Sequence, residues 1–383
     1  MHLIKNVLII IFFSLLTLKL SDIAFGSFQD QLLTNTSLSK GTSRAIHLRE
    51  FNPNQQAVVR PTNYYMQGVE NLEQINYAVN IDSNGFIKTG NPELDNPEIK
   101  ILFLGGSTTE TLFVPEEQRF PSIVERTLRE KLGKDIEVYN SGVSGNNSMH
   151  SLFIFLSKGI PLKPTYAVLM HNINDFGLLF KSESYWVAPI SRSLLIDSTL
   201  LGYTTIEDST RTAIFNFFKA IKNFLVPNLY SYLRPRLFAN VKMHQDEFTA
   251  FRKKNFEDLN LEEYKNQFKS SLVSFIELSR AWNIEPILMT QANRIDPSQS
   301  YFQKWFEENS QGELNINQFA GLYKLFNQII RDIALEKKVI LIDLDILVPK
   351  TDEFIIDTIH FNKAGSALVA ESMIDTIIKK AEH

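Results

Sequence analysis

The 383-residue chain carries 39 Lys and Arg against 43 Asp and Glu, a formal charge of −4, with 44% hydrophobic side chains and no cysteine. That apolar content fills a large core, either one big domain with appendages or two domains. Dispersed basic residues leave no electrostatic footprint for nucleic acid, and the lack of cysteine excludes disulfides, thiolate metal sites and a cysteine nucleophile while leaving the compartment open.

The N-terminus has an export pattern. MHLIKN carries a Lys, residues 7–18 (VLIIIFFSLLTL) are a continuous apolar run, and Ala24 and Gly26 are small residues around a cleavage point. A bilayer span needs about 20 residues, so the run anchors the chain only if its helix continues to Phe25. Residues 1–26 are therefore expected to be a signal peptide or an N-terminal membrane anchor. Either places the protein outside the cytoplasm, in the periplasm or another extracytoplasmic space, held at the inner membrane by residues 7–25 if uncleaved. Residues 27–98 form a polar leader with short strands. Within it INYAVNIDSNGF alternates like a strand and turns at Asn84 and Gly85, which predicts a β-hairpin or an edge strand.

From residue 99 the pattern becomes regular. Apolar strands are predicted at 99–104, 136–140, 165–170, 285–291 and 339–344, and amphipathic helices at 121–132, 265–282, 319–338 and 363–381. Short apolar strands alternating with long helices imply βαβ units. The expected fold is an α/β, three-layer α/β/α sandwich with a central, mainly parallel sheet, plus the N-terminal hydrophobic helix and a helical insertion at about 180–264. In such sheets ligands bind at the carboxyl ends of the strands.

Four strand-end loops collect the unusual residues: GGSTTE (105–110), SGVSGNNS (141–148), HNINDF (171–176) and DTIHFNKAG (357–365). Taken alone, Ser107 and Glu110 have the spacing of a helix capping box, Gly142 and Gly145 suit turns, Asn174 suits a loop tie, and a single histidine is usually structural. Taken together they have a second use. A serine on a strand-to-helix turn can present its Oγ above the sheet edge, and a glycine lets its N–H approach a reacting oxygen. An asparagine amide can donate into a cleft, and Asp357, three residues before His360, can orient an imidazole for general-base work.

These four blocks, in this order, resemble those of the SGNH, or GDSL-like, hydrolase superfamily. Ser107 matches the nucleophile position, Gly145 the oxyanion glycine, Asn174 the invariant asparagine with Asp175 its usual neighbour, and Asp357 and His360 the acid and base. Gly106 stands where the family often has Asp, and Asn172 where a glycine is common. The resemblance covers roughly residues 80–383 and implies a serine esterase working through an acyl-enzyme. Ser107, Asp357 and His360 would then be catalytic, and the Ser107 and Gly145 N–H groups with the Asn174 amide would form the oxyanion hole. No metal or organic cofactor is implied. Position 109 is Thr, so the serine is not in a GxSxG elbow.

The insertion contains TAIFNFFKAIKNFLVPNLYSYLRPRLF, helical in spacing and broken by Pro227 and Pro235, which reads as a lid beside the site. The expected substrate is a small-molecule or glycan ester, an O-acetyl group of a cell-surface polysaccharide by resemblance. An O-acetyltransferase using the same residues and a catalytically silent glycan-binding or assembly protein are the alternatives.

Overall fold

The computed structural model describes residues 44–46, 48–66, 69, 71–186, 195–197, 259–309 and 314–381. The apolar segment 7–25 and most of the expected insertion, residues 187–194 and 198–258, lie outside the described residues. Among the described residues no helix is long and apolar enough to cross a membrane. The chain divides into a unit of residues 1–45 with 197–203, nearly all of it outside the described residues, and a larger unit of residues 46–196 with 204–383.

In the larger unit, strands β1 (Gln56–Val59) and β2 (Tyr77–Asn80) pair antiparallel. The expected turn follows β2: Ile81 and Ile87 bridge across it, and the Asp82 carboxylate accepts the Asn84 and Phe86 N–H groups at 2.8 and 2.9 Å. The segment 77–87 is thus both things its pattern predicted, a strand with an outside partner and a local hairpin turn.

The main sheet has five strands: β3 (Ile99–Gly105), β4 (Ile136–Asn140), β5 (Tyr166–Met170), β6 (Glu285–Met289) and β7 (Ile340–Ile342). All four pairings are parallel and the order is β4-β3-β5-β6-β7. This order reverses direction between β3 and β5, and the crevice at the carboxyl ends beside that switch is where such folds take ligands.

Strand alternation sorts the core into two layers. Leu102, Leu104, Ala167, Leu169 and Leu288 face one way and pack with α3 (Ser148–Ile154), α4 (Ile173–Ser182), α5 (Leu261–Ala281), α6 (Ser300–Asn309) and α7 (Ile316–Lys337). Ile101, Phe103, Val168, Met170, Ile287 and Met289 face the other way and pack with α2 (Phe120–Leu132) and α9 (Lys363–Ala381). Each buried Leu or Phe contributes about 1.5–3 kcal/mol of transfer free energy, which fixes the strand register because a one-residue slip would swap the two faces. The aromatic composition is spent here: Phe176 meets Phe319 edge-on at 5.4 Å and Tyr323 at 6.3 Å. The helices are closed by their own sequence, α7 by a capping box between Asn315 and Gln318 and α2 by Gly133 in the left-handed conformation.

Candidate active site

The strand β3 ends at Gly105, and a single helical turn, α1 (Ser107–Glu110), follows at once. The N-cap of this turn is Gly106, with no side-chain cap hydrogen bond, so the capping box expected of Ser107 and Glu110 does not form. The register is one residue off: Ser107 is the first helical residue rather than the cap, and both side chains are free for other partners. The Ser107 Oγ lies 2.7 Å from His360 Nε2. Starting a helix, its N–H is also among those with no intrahelical acceptor.

His360 sits in the loop between the short helix α8 (Leu344–Leu347) and α9. Its Nδ1 is 2.6 Å from Asp357 Oδ2, while Asp357 Oδ1 accepts the backbone N–H groups of Ile359 and His360, each at 2.8 Å. Burial pushes the Asp357 carboxyl up, but the His360 charge, the ring hydrogen bond and the two N–H donors outweigh it and hold it well below the ordinary carboxylate range. An ionised Asp357 fixes the tautomer with the proton on Nδ1, leaving Nε2 as acceptor toward Ser107. The three-residue spacing read from DTIH thus delivers the alignment expected of it.

The loops after β4 and β5 meet beside Gly106, the residue before Ser107. Gly145 has φ +78°, in the left-handed region that favours glycine. Asn174, 7% exposed at the start of α4, donates from Nδ2 to the Asn146 carbonyl at 2.8 Å, which ties its amide to the residue after Gly145. A Cβ at Gly106 would lie 2.6 Å from Asn174 Nδ2 and 3.2 Å from the Asn146 oxygen. The departure at 106 is therefore steric: the space an aspartate would take is filled by the Asn174 amide. The departure at 172 has a different cause. Asn172 has φ −165°, extended backbone open to any residue, and its amide donates to the Tyr323 carbonyl at 3.0 Å and to Asn327 Oδ1 at 2.9 Å.

A buried polar lattice underlies these loops. Gln291 donates to Thr108 Oγ1 at 3.0 Å and accepts from the Tyr323 hydroxyl at 2.8 Å and the Ile173 N–H at 3.1 Å. It locks α1 to the start of α4, so the first and third blocks are held in one frame. Two further side chains are not read as part of the site from sequence. Tyr65, from the polar leader, donates to Asp357 Oδ2 at 3.1 Å, and Glu110 accepts a hydrogen bond from the Ser144 hydroxyl. Burial pushes Glu110 up to about 7, opposed by the Ser144 hydrogen bonds and by the charges of His360 and Arg119.

A second serine, histidine and aspartate align nearby. Ser151 Oγ is 2.7 Å from His171 Nε2, and His171 Nδ1 is 3.7 Å from Asp175 Oδ2. These side chains are sealed: His171 and Asp175 are 1% and 0% exposed, against 19% for His360. Burial and the neighbouring His150 hold His171 down at about 3, so it stays neutral, and burial pushes Asp175 up to about 6. Asp175 instead accepts from the Ser148 N–H at 3.0 Å and the Tyr185 hydroxyl at 2.6 Å, anchoring the start of α3. Solvent access separates the two alignments: the His360 side chain is partly exposed and the His171 side chain is not.

The chain is similar in fold to solved hydrolases. A lipase/acylhydrolase from Enterococcus faecalis matches with a TM-score of 0.41 at 15% identity, covering 74% of this chain and 96% of that one. The acetylxylan esterase Axe2 from Geobacillus stearothermophilus matches with a TM-score of 0.40 at 14% identity, covering 73% and 94%. An alpha/beta hydrolase enzyme from the metagenome of Lake Arreo, Spain, matches with a TM-score of 0.39 at 13% identity, covering 73% and 94%. No family model and no curated protein matches the chain. At these values the matches carry no argument about the site, whose reading rests on the side chains around Ser107.

Proposed function

We propose that the chain is a serine esterase that cleaves its substrate through an acyl-enzyme. The observation that carries this reading is the hydrogen-bonded line Ser107, His360, Asp357, at 2.7 and 2.6 Å, open to solvent at the carboxyl edge of the sheet. His360 Nε2 takes the Oγ proton as Ser107 attacks the ester carbonyl, and Asp357 stabilises the imidazolium. The oxyanion is received by the Ser107 and Gly145 N–H groups and the Asn174 amide, each worth about 10²-fold to 10³-fold in rate. His360 then passes its proton to the departing alkoxide, and a water activated by the same nitrogen releases the acyl group. The proposed substrate is an O-acetyl group on a carbohydrate or cell-surface polysaccharide, and the proposed location is extracytoplasmic. Both rest on the sequence resemblance and the N-terminal pattern.

The test is hydrolysis of an aryl acetate by the purified chain, with fluorophosphonate labelling of Ser107. Turnover and labelling that vanish together in Ser107→Ala support the esterase. An unlabelled, inactive wild type refutes it. Slow hydrolysis that a sugar acceptor accelerates, giving acetylated sugar, assigns the same residues to acyl transfer instead.

A further inference from the structure

Glu110 ends the helical turn that Ser107 begins. It is 3% exposed, and a buried carboxylate is tolerated only where donors or positive charge meet it. Here the donors come from one residue. The Ser144 hydroxyl and backbone N–H both hydrogen-bond to it. The positive groups facing it are His360, from the loop before α9, and Arg119, at the start of α2. Arg119 is itself 1% exposed and is held by the carbonyls of Thr111, Val114 and Ala78 at 3.3, 3.1 and 2.6 Å.

Ser144 immediately precedes Gly145. Its carbonyl accepts from Arg49 Nη2 at 3.1 Å, and the Asn146 amide donates to the Arg49 carbonyl at 3.0 Å. The loop carrying the Gly145 N–H is thus held by Arg49 through backbone, by Asn174 at the Asn146 carbonyl, and by Glu110 through the Ser144 side chain. Oxyanion donors act by being aimed before the reaction starts, so whatever fixes Ser144 fixes the aim of the next N–H.

We propose that Glu110 is a positioning residue of the esterase, holding the Gly145 N–H in place through Ser144. The proposal rests on the esterase reading. It gives Glu110 an effect that a packing role would not have, on the oxyanion side and seen in kcat rather than KM, because the contact matters most in the transition state.

The experiment uses the full chain, with Glu110→Gln and Ser144→Ala assayed on an aryl acetate. Glu110→Gln keeps the size and an acceptor oxygen but loses the charge. It is expected to lower kcat by about 10-fold to 10²-fold with KM within about 3-fold. Ser144→Ala removes one hydroxyl from a half-buried position; it is expected to lower kcat by about 3-fold to 10-fold, again with KM within about 3-fold. The double variant should be no slower than Glu110→Gln, since both act through one contact. An active wild type with both single variants unchanged in kcat overturns the proposal while leaving the esterase intact. If Glu110→Gln does not fold, an unaltered kcat in Ser144→Ala overturns it alone. A wild type with no Ser107-dependent turnover overturns the esterase reading and this proposal with it.

Discussion

A methyl group at position 106 tests the oxyanion side of the site without touching any group that reacts. In Gly106→Ala the new Cβ would sit 2.6 Å from Asn174 Nδ2, and an ordinary contact begins at 3.4 Å, so the amide must retreat by about 0.8 Å. The nearer neighbour is the far end of a side chain and the Asn146 carbonyl, at 3.2 Å, need give only by about 0.2 Å, but the 2.8 Å bond between them stretches and the amide leaves its place. Misplacement by about 1 Å is worth on the order of 10²-fold in rate, near the lower bound for losing an oxyanion donor, ~2.7 kcal/mol. The expected result is a fall of about 10²-fold in kcat on an aryl acetate with KM nearly constant, a thermal midpoint within a few degrees of wild type, and retained fluorophosphonate labelling of Ser107. Asn174→Ala should cost as much or more, and the double variant no more than Asn174→Ala, because both act on one donor. A Gly106→Ala enzyme within about 3-fold of wild type, or losses that multiply in the double variant, would refute the placement of Asn174 in the reaction.

Asp357→Asn removes the charge that fixes the His360 tautomer and is expected to lower kcat by about 10⁴-fold, with Ser107 labelling slowed in parallel; equal labelling rates would count against the Asp357 role. Tyr65→Phe removes one hydrogen bond, 3.1 Å long, from Asp357 Oδ2. It should cost about 1 kcal/mol or less, a several-fold loss of kcat that leaves Tm almost unmoved. Stability should depend on pH through Glu110. Its folded pKa of about 7 lies above the ordinary 4.5, so the folded chain keeps a proton there that the unfolded chain releases. The contribution is fully present below pH 4.5 and fades as pH rises through 7, by at most roughly 3 kcal/mol. Urea midpoints at pH 5 and pH 8 should therefore fall more steeply for wild type than for Glu110→Gln, and parallel slopes would contradict the burial argument.

The sheet was legible because its signals are local. The strand at Ile136–Asn140 and the helix at Lys363–Ala381 lie where the apolar spacing puts them, and the helix expected at 121–132 is Phe120–Leu132. VILIDL reads as six strand residues, yet only Ile340–Ile342 pair. β7 is an edge with a single neighbour, and Asp343 is drawn away by Arg331 at 2.7 Å and Thr290 at 2.7 Å. HNINDF reads as a loop because its polar residues mask a helix; Ile173–Ser182 begins inside it. Ser107, Asp357 and His360 were singled out by residue type and order, and the structure brings the three into hydrogen-bonded contact. Glu110 was not, since the spacing of a capping box and that of a buried tie to Ser144 are the same, and only the backbone decides that Gly106 is the cap. Tyr65 had no signal at all: it stands in a polar leader 292 residues from the carboxylate it touches.

The hydrogen bond between Ser107 and His360 joins residues 253 apart. During synthesis the nucleophile, the Gly145 loop and Asn174 all emerge within the first half of the chain, whereas the base arrives only with the final helix. A nascent chain stalled before residue 360 therefore has a serine and its waiting donors but nothing to take the serine's proton. On the proposed esterase reading, Ser107-dependent turnover requires this 253-residue contact and would therefore report completed folding.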